Sequence, residues 1–211
     1  GMCGPLNRHV VQHAADVLDR RELAPERRQF VAVGARCAGE LDAIGAAVVE
    51  RFPVAGAPEA IAVRVQEMLV TVNEWRTAHP GGCILLFHAR PAEAASYARR
   101  HVQMLPLHLA WLRRLAARPW ERRCLPVYFK DAQAMFAALI RRFWFVVMFR
   151  AFAESLASEN ASRLAAMQAA ERNIDEQLGE LQSRYRRTRQ SEITEELLDV
   201  TAGFEAMKGR S

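Results

Sequence analysis

From Asp131 to Ser211 the chain runs for 81 residues without a proline, and only Gly179, Gly203 and Gly209 interrupt it. Proline breaks a helix by removing a donor and clashing with the preceding turn, and glycine weakens one through backbone entropy. A stretch that avoids both and is rich in Ala, Leu, Glu, Arg and Gln reads as one long helix. The breakers collect upstream, with all nine prolines at or before Pro126 and eight of the eleven glycines at or before Gly82. Charge divides at the same place. Residues 1–130 hold 18 basic and 12 acidic side chains and residues 131–211 hold 11 and 12, so the net charge of +5 is the sum of +6 and −1 and the basic excess belongs to the first part. The expected organisation is an α/β head over residues 1–130 and a helical shaft over 131–211.

The apolar positions of the shaft fall at Leu164, Met167, Ile174, Leu178, Leu181 and Tyr185, in steps of three and four, with Glu171 and Thr188 at two further seam sites. A heptad seam of this kind needs a partner helix. The series resumes at Ile193, Leu197, Val200 and Phe204, eight residues after Tyr185 instead of seven. Such a slip of phase alters the supercoil locally. No second helix of comparable length stands in the sequence to accept the seam, so either the chain dimerises or the partner lies on a segment outside these residues.

The first part alternates between helix and strand. Val10, Val11, Ala14, Val17 and Leu18 recur at helical spacing, and Phe30–Val33 followed by Gly34 reads as a short buried strand. Ala46–Val49 is a second strand candidate. Pro58 opens a helix carrying Ile61, Val65, Met68, Leu69, Val72 and Trp75 on one face, and His79–Gly82 is the turn that ends it. Cys83–Phe87 is a continuous apolar run of the type buried on both faces of a sheet. This order predicts a Rossmann-like, mostly parallel sheet. The chain opens on a glycine-containing turn leading into a helix, and in a βα unit such a turn is fed by a strand, which is expected upstream.

Several function classes are excluded by pattern. The longest apolar run, Phe143–Phe149, is seven residues, against about 20 for a spanning helix, and no secretory leader is read. Cys3, Cys37, Cys83 and Cys124 lack the short paired spacings of a zinc site and read as reduced thiols of a cytosolic chain. Gly34–Gly39 superficially suits a phosphate loop, but Glu40-Leu41 stands where Lys and Ser or Thr are needed. His9 and His13 are four apart, yet Val10-Val11-Gln12 lacks the glutamate of a zinc protease helix, so they read as surface or capping histidines. No catalytic, cofactor or metal site is expected.

Arg184, Arg186, Arg187 and Arg189 point around the helix instead of along one stripe, and flanking acids from Asp175 to Glu196 argue against nucleic acid. The bland reading is a solvated charged helix; the other is a helix meeting different partner surfaces on different sides. Phe136, Leu139, Ile140, Phe143, Trp144, Val147 and Met148 form a wide apolar face that reads as core. Trp111 and Trp120 lie in or beside an arginine-rich segment, Arg113–Arg123, that reads as an exposed helix or loop.

Two stretches resemble the gamma subunit of F-type ATP synthases. Gly1-Met-Cys-Gly-Pro-Leu-Asn7 looks like that family's Gly-Leu-Cys-Gly-x-Leu-Asn turn. Ser158-Glu159, Ala161, Arg163, Ala166-Met167, Ala169-Ala170, Asn173, Leu181, Tyr185, Arg189-Gln190, Ile193-Thr194, Glu196 and Gly203 follow the order and spacing of its C-terminal helix. The middle, residues 30–130, fits by element order more than by motif. Departures are Arg186 and Arg187 for Asn and Lys, Glu171 for Thr, Ile174 for Ala and Pro5 for Gly, which suit a divergent member.

The resemblance implies a non-catalytic central-stalk rotor, with an α/β head and a long C-terminal helix forming half of an antiparallel coiled coil. Family members begin with a long helix and a first strand, and this chain is expected to start after both. The implied partners are the alpha and beta subunits of the catalytic ring, the epsilon subunit and the membrane c-ring, with membrane association only through the complex, at the cytoplasmic face of a bacterial inner membrane. The resemblance assigns ring contacts to Arg189, Gln190, Thr194 and Glu196, and shaft-base or coiled-coil roles to Arg163, Met167, Ile174, Leu178, Leu181 and Tyr185. The seam alone also permits a self-associating coiled-coil scaffold with an α/β head. The α/β pattern with a basic pI permits a nucleotide- or nucleic-acid-binding protein, which predicts salt-sensitive binding.

Overall fold

A computed structural model describes residues 3–92, 97–119, 124, 127, 129 and 131–208, with side chains of the last helix to Gly203. The elements are α1 (Leu6–Arg20), β1 (Phe30–Val33), α2 (Ala35–Ala43), β2 (Val48–Phe52), α3 (Pro58–Ala78), β3 (Ile84–Pro91), β4 (Tyr97–Leu105), α4 (Leu109–Ala116) and α5 (Ala132–Lys208). The chain forms two compact units, Gly1–Arg163 and Leu164–Ser211. The last helix begins close to the expected boundary at 130/131, but packing divides the chain at Arg163, because the first turns of α5 belong to the core of the first unit.

Each element follows from its residues. Helix α1 buries Leu6, Val11, Ala14 and Val17, a spacing of three to five that keeps them on one side. Pro58 occupies the first turn of α3, where its missing N–H costs nothing, and Ile61, Val65 and Met68 are buried from that helix. Gly34 has φ +92° at the turn from β1 into α2, where its N–H donates to the Phe52 carbonyl at 2.7 Å. That backbone conformation favours glycine, and a Cβ there would lie 2.6 Å from Cγ2 of Val54. Strand β2 starts two residues later than expected because Gly45, at φ +69°, closes α2 and the Ala46 N–H still bonds to the Leu41 carbonyl.

The β1 and β2 strands pair in parallel, as the alternating pattern implies. The β3 and β4 strands form an antiparallel hairpin, an element the sequence pattern did not announce. Arg99, Arg100 and His101 stand consecutively in β4 and are all exposed, which hides its alternation. Among the described residues the four strands make two separate two-stranded sheets, so β1 and β3 each keep an unpaired edge. Both strands line a cleft of about 540 Å³ whose walls include Val11 and Ala14 of α1, Met68 of α3 and Met148 of α5. Ile84, Leu85, Leu86 and Phe87 are therefore half-buried, not enclosed on both faces as their composition suggests.

The core has two parts. Val11, Ala32, Ala38 and Leu41 join α1, β1 and α2. Ile61, Val65, Met68, Met104, Trp144 and Met148 join α3, β4 and the start of α5. The wide apolar face expected at the start of α5 is narrower in the structure. Trp144 and Met148 are buried and Ile140 and Phe143 pack against them, whereas Phe136 and Leu139 remain exposed. By length and composition α5 contains an 18-residue window, of mean hydropathy 1.4, that would suit a membrane span. The seven-residue run concealed this because Arg141 and Arg142 interrupt the apolar stretch, and burial of Trp144 and Met148 in the first unit accounts for part of that apolar character.

Candidate partner-contact surface

Helix α5 is a helical element of 77 residues, of which those from Leu164 onward belong to the second unit. Within the second unit the seam side chains stand in the open. Leu164, Met167, Ile174, Leu178, Leu181 and Tyr185 are all exposed, at 45 to 64%. Ile193, Leu197 and Val200 are exposed as well. A helix whose apolar residues form a stripe and remain uncovered has an unpartnered face.

Successive residues turn by about 100° around a helix, so azimuths follow from numbering. One residue beyond the heptad separates Tyr185 from Ile193 and turns the second stripe by about 100° relative to the first. Arg189 and Glu196, seven apart, lie close in azimuth and continue the line of the first stripe; Nη1 of Arg189 donates to the Tyr185 hydroxyl at 3.3 Å. Gln190 and Thr194, four apart, share another side, where Oγ of Thr194 donates to the Gln190 carbonyl at 2.7 Å. The four residues thus form two pairs, one on each flank of the stripe made by Ile193, Leu197 and Val200. All four are exposed. Arg163 lies in the first unit, half-buried, and donates to Glu159 at 2.6 Å and to Asn160 at 2.8 Å.

The other sequence candidates find partners within the first unit. His9 Nδ1 is 2.8 Å from the Tyr97 hydroxyl, and His13 Nε2 is 3.2 Å from His101 Nδ1, so both face β4. Glu40, which disqualified a phosphate loop, pairs with Arg8 at 3.5 Å. Burial, with Glu40 nearby, pushes the Cys37 thiol up, which keeps it protonated. In α4, Trp111 packs on Phe143 at a centroid distance of 5.0 Å, while Trp120–Arg123 lie outside the described residues, as do Gly1 and Met2 of the opening turn. Among the described residues no three His, Cys, Asp or Glu side chains converge as metal ligands would.

Sequence reasoning missed one buried polar group. His88 of β3 is buried and its Nε2 lies 2.9 Å from Oε2 of Glu154 on α5. Arg150 donates to the other carboxylate oxygen at 2.8 Å, and Arg90 is 3.7 Å from it. Burial alone would raise the Glu154 carboxyl, but the hydrogen bonds from Arg150 and His88 outweigh it and hold the group below the usual carboxylate range. The residues are 66 positions apart, and no local spacing links them.

A family model described as ATP synthase matches residues 1–207, nearly the whole chain. The chain belongs to the ATP synthase gamma family. The ATP synthase gamma chain of Leptothrix cholodnii is 28% identical over 207 residues, covering 98% of this chain and 70% of that one. The gamma chain of Ralstonia nicotianae is 30% identical over 207 residues, covering 98% and 71%. The chain thus spans about 70% of the length of these gamma relatives. In a cryo-EM structure of Euglena gracilis mitochondrial ATP synthase, OSCP/F1/c-ring, a chain aligns with a TM-score of 0.63 at 20% identity, covering 98% of this chain and 69% of that chain. That likeness shows the gamma fold, a small α/β domain with a long C-terminal helix.

Proposed function

We propose that this chain is the turning shaft of a rotary ATP synthase, a subunit that catalyses nothing itself and couples ion flow through a membrane rotor to ATP synthesis or hydrolysis in a surrounding ring. The observation that carries this reading is the gamma-family match over residues 1–207 together with a 77-residue helix whose described side chains beyond Arg163 are exposed except at half-exposed Ala165, Ala166, Ala169 and Ser183. A rotor shifts the populations of open and closed catalytic sites only through unequal affinity for them. An uncovered helix with a different chemistry at each azimuth meets that requirement, since charged contacts form and break without one deep apolar interface fixing a single angle.

The ring contacts fall to Arg189 and Glu196 on one flank and Gln190 and Thr194 on the other, addressing alpha and beta subunits as the helix turns. Met167, Ile174, Leu178, Leu181 and Tyr185 serve the coiled coil, with Arg163 at the shaft base. The cleft between β1 and β3 supports the same reading, because a strand added between the unpaired edges would join both sheets into the single sheet that the family resemblance implies. The head, residues 1–130, would sit outside the ring beside the epsilon subunit and the c-ring. Membrane association would come only through that complex, at the cytoplasmic face of a bacterial inner membrane.

Reconstitution of the full-length subunit with alpha and beta subunits tests the proposal. A complex is expected whose ATP hydrolysis drives rotation, and replacing Arg189, Gln190, Thr194 and Glu196 together by alanine is expected to lower coupled turnover. Failure to assemble would overturn the rotor role, and full coupling in the fourfold variant would overturn the assignment of the four contacts.

A further inference from the structure

The packing of β4 and α3 on the first turns of α5 is carried by Met104, Met68, Val65, Ile61, Trp144 and Met148, all apolar but for the Trp144 indole nitrogen. Apolar packing is non-directional, and a ridge of such side chains tolerates sliding or turning better than a hydrogen bond does. Among the described residues a polar cluster interrupts it. The Glu154 carboxylate accepts from His88 of β3 on Oε2 and lies 3.7 Å from Nε of Arg90, two residues along the same strand, on Oε1. The two oxygens are thereby addressed from one strand, Oε2 by a hydrogen bond and Oε1 by an ion pair. Arg150, one turn back on α5, holds the same carboxylate from the helix side. Moving the helix by a single residue would carry Glu154 about 100° around the axis and about 1.5 Å along it, breaking both strand contacts at once.

The geometry points to a positioning role: we propose that His88 and Arg90, closing on Glu154, fix the rotational and axial register of the first turns of α5 against the head sheet, so that torque passes between them through a directional contact. The torque half of this statement rests on the rotor reading, and the register half stands without it. His88 is buried and Glu154 partly so, and a polar pair set in an otherwise apolar interface is best attested in this registering use, since replacing such a pair by apolar residues of similar volume often leaves stability unchanged or raises it. Stability and register therefore separate experimentally.

The test uses the full chain and the reconstituted complex carrying His88→Leu together with Glu154→Leu, which keeps the volume and removes the charge. Spin labels on Glu74→Cys and Arg142→Cys, with Cys83 and Cys124 changed to serine, report the distance between α3 and α5 by pulsed electron resonance. The unmodified pair is expected to give one narrow distance distribution, the double leucine variant a broadened or shifted one, and His88→Gln with Glu154 intact a narrow one, because its amide still donates. In the complex, the ratio of ATP-driven ion pumping to ATP hydrolysis is expected to fall several-fold in the double leucine variant and to recover in His88→Gln. An unchanged distance distribution in the double leucine variant overturns the registering role. A broadened distribution with an unchanged pumping ratio overturns the torque half. Absence of coupled pumping in the unmodified complex would instead count against the rotor reading, leaving the distance measurement to decide the register.

Discussion

The Nε2 of His13 on α1 lies 3.2 Å from Nδ1 of His101 on β4, so the helix and the hairpin meet through two imidazoles. Burial first, and then the charges of His101, Arg99 and Arg20, hold His13 below its usual value; burial first, and then Arg21 and Arg20, do the same for His101. The unfolded chain therefore binds more protons than the folded one in the window just below the ordinary histidine value of 6.5. Stability is expected to be full above that value and to decline as pH falls through the window, levelling off below the folded-state values. Urea midpoints measured from pH 7.5 down to pH 5 check this, and His101→Gln should flatten the slope.

Gly34 sits at φ +92° with its missing Cβ pointing at Val54. Gly34→Ala is expected to cost about 1–3 kcal/mol from backbone strain alone, with the contact to Val54 adding to it. Pairing it with Val54→Ala should relieve the contact and leave the strain, giving a midpoint between the single variant and the parent in thermal unfolding.

Met148 is buried at 1% exposure among residues of α3 and β4, whereas Ile174 on the same helix is exposed at 58%. Met148→Ala is expected to destabilise the chain by about 2–5 kcal/mol through lost burial and the cavity left behind. Ile174→Ala in the isolated chain should change stability by less than about 0.5 kcal/mol. Denaturant unfolding of the two variants distinguishes core from seam, and a large loss for Ile174→Ala would show that the seam is already covered in the isolated chain.

The seam carries its own expectation. Leu178→Glu with Leu181→Glu places two charges on the exposed stripe, where a partner helix would have to desolvate them. Assembly of the complex should weaken while the far-ultraviolet spectrum of the isolated chain stays helical. Pull-down with alpha and beta subunits and circular dichroism measure the two outcomes, and undiminished assembly would count against a coiled coil on this stripe.

What was legible in the sequence was whatever repeats locally. The long helix declared itself through the absence of proline after Pro126, α3 through Pro58 and its apolar spacing, and β1 through Phe30–Val33. The seam could be read because heptads are a property of neighbours in the chain. Contacts that depend on the fold could not be read. Strand β4 hid behind Arg99, Arg100 and His101, and without β4 the partners of His9 and His13 had no address. His88 and Glu154 meet only because a strand and a helix 66 residues apart are packed together. The four residues proposed as ring contacts come from the family motif, and their grouping into two flanking pairs follows from α5 continuing unbroken through the phase slip.

That slip has a mechanical meaning. A camshaft works because its lobes sit at different angles along a common axis, and the exposed apolar segments of α5 are two such lobes, offset by about 100° through a single extra residue between Tyr185 and Ile193. A partner helix laid straight along the first stripe would, a few turns higher, meet the charge of Arg189 and Glu196 where apolar side chains stood before. Deleting Ser191 would bring the two lobes into line and give the helix one continuous apolar face.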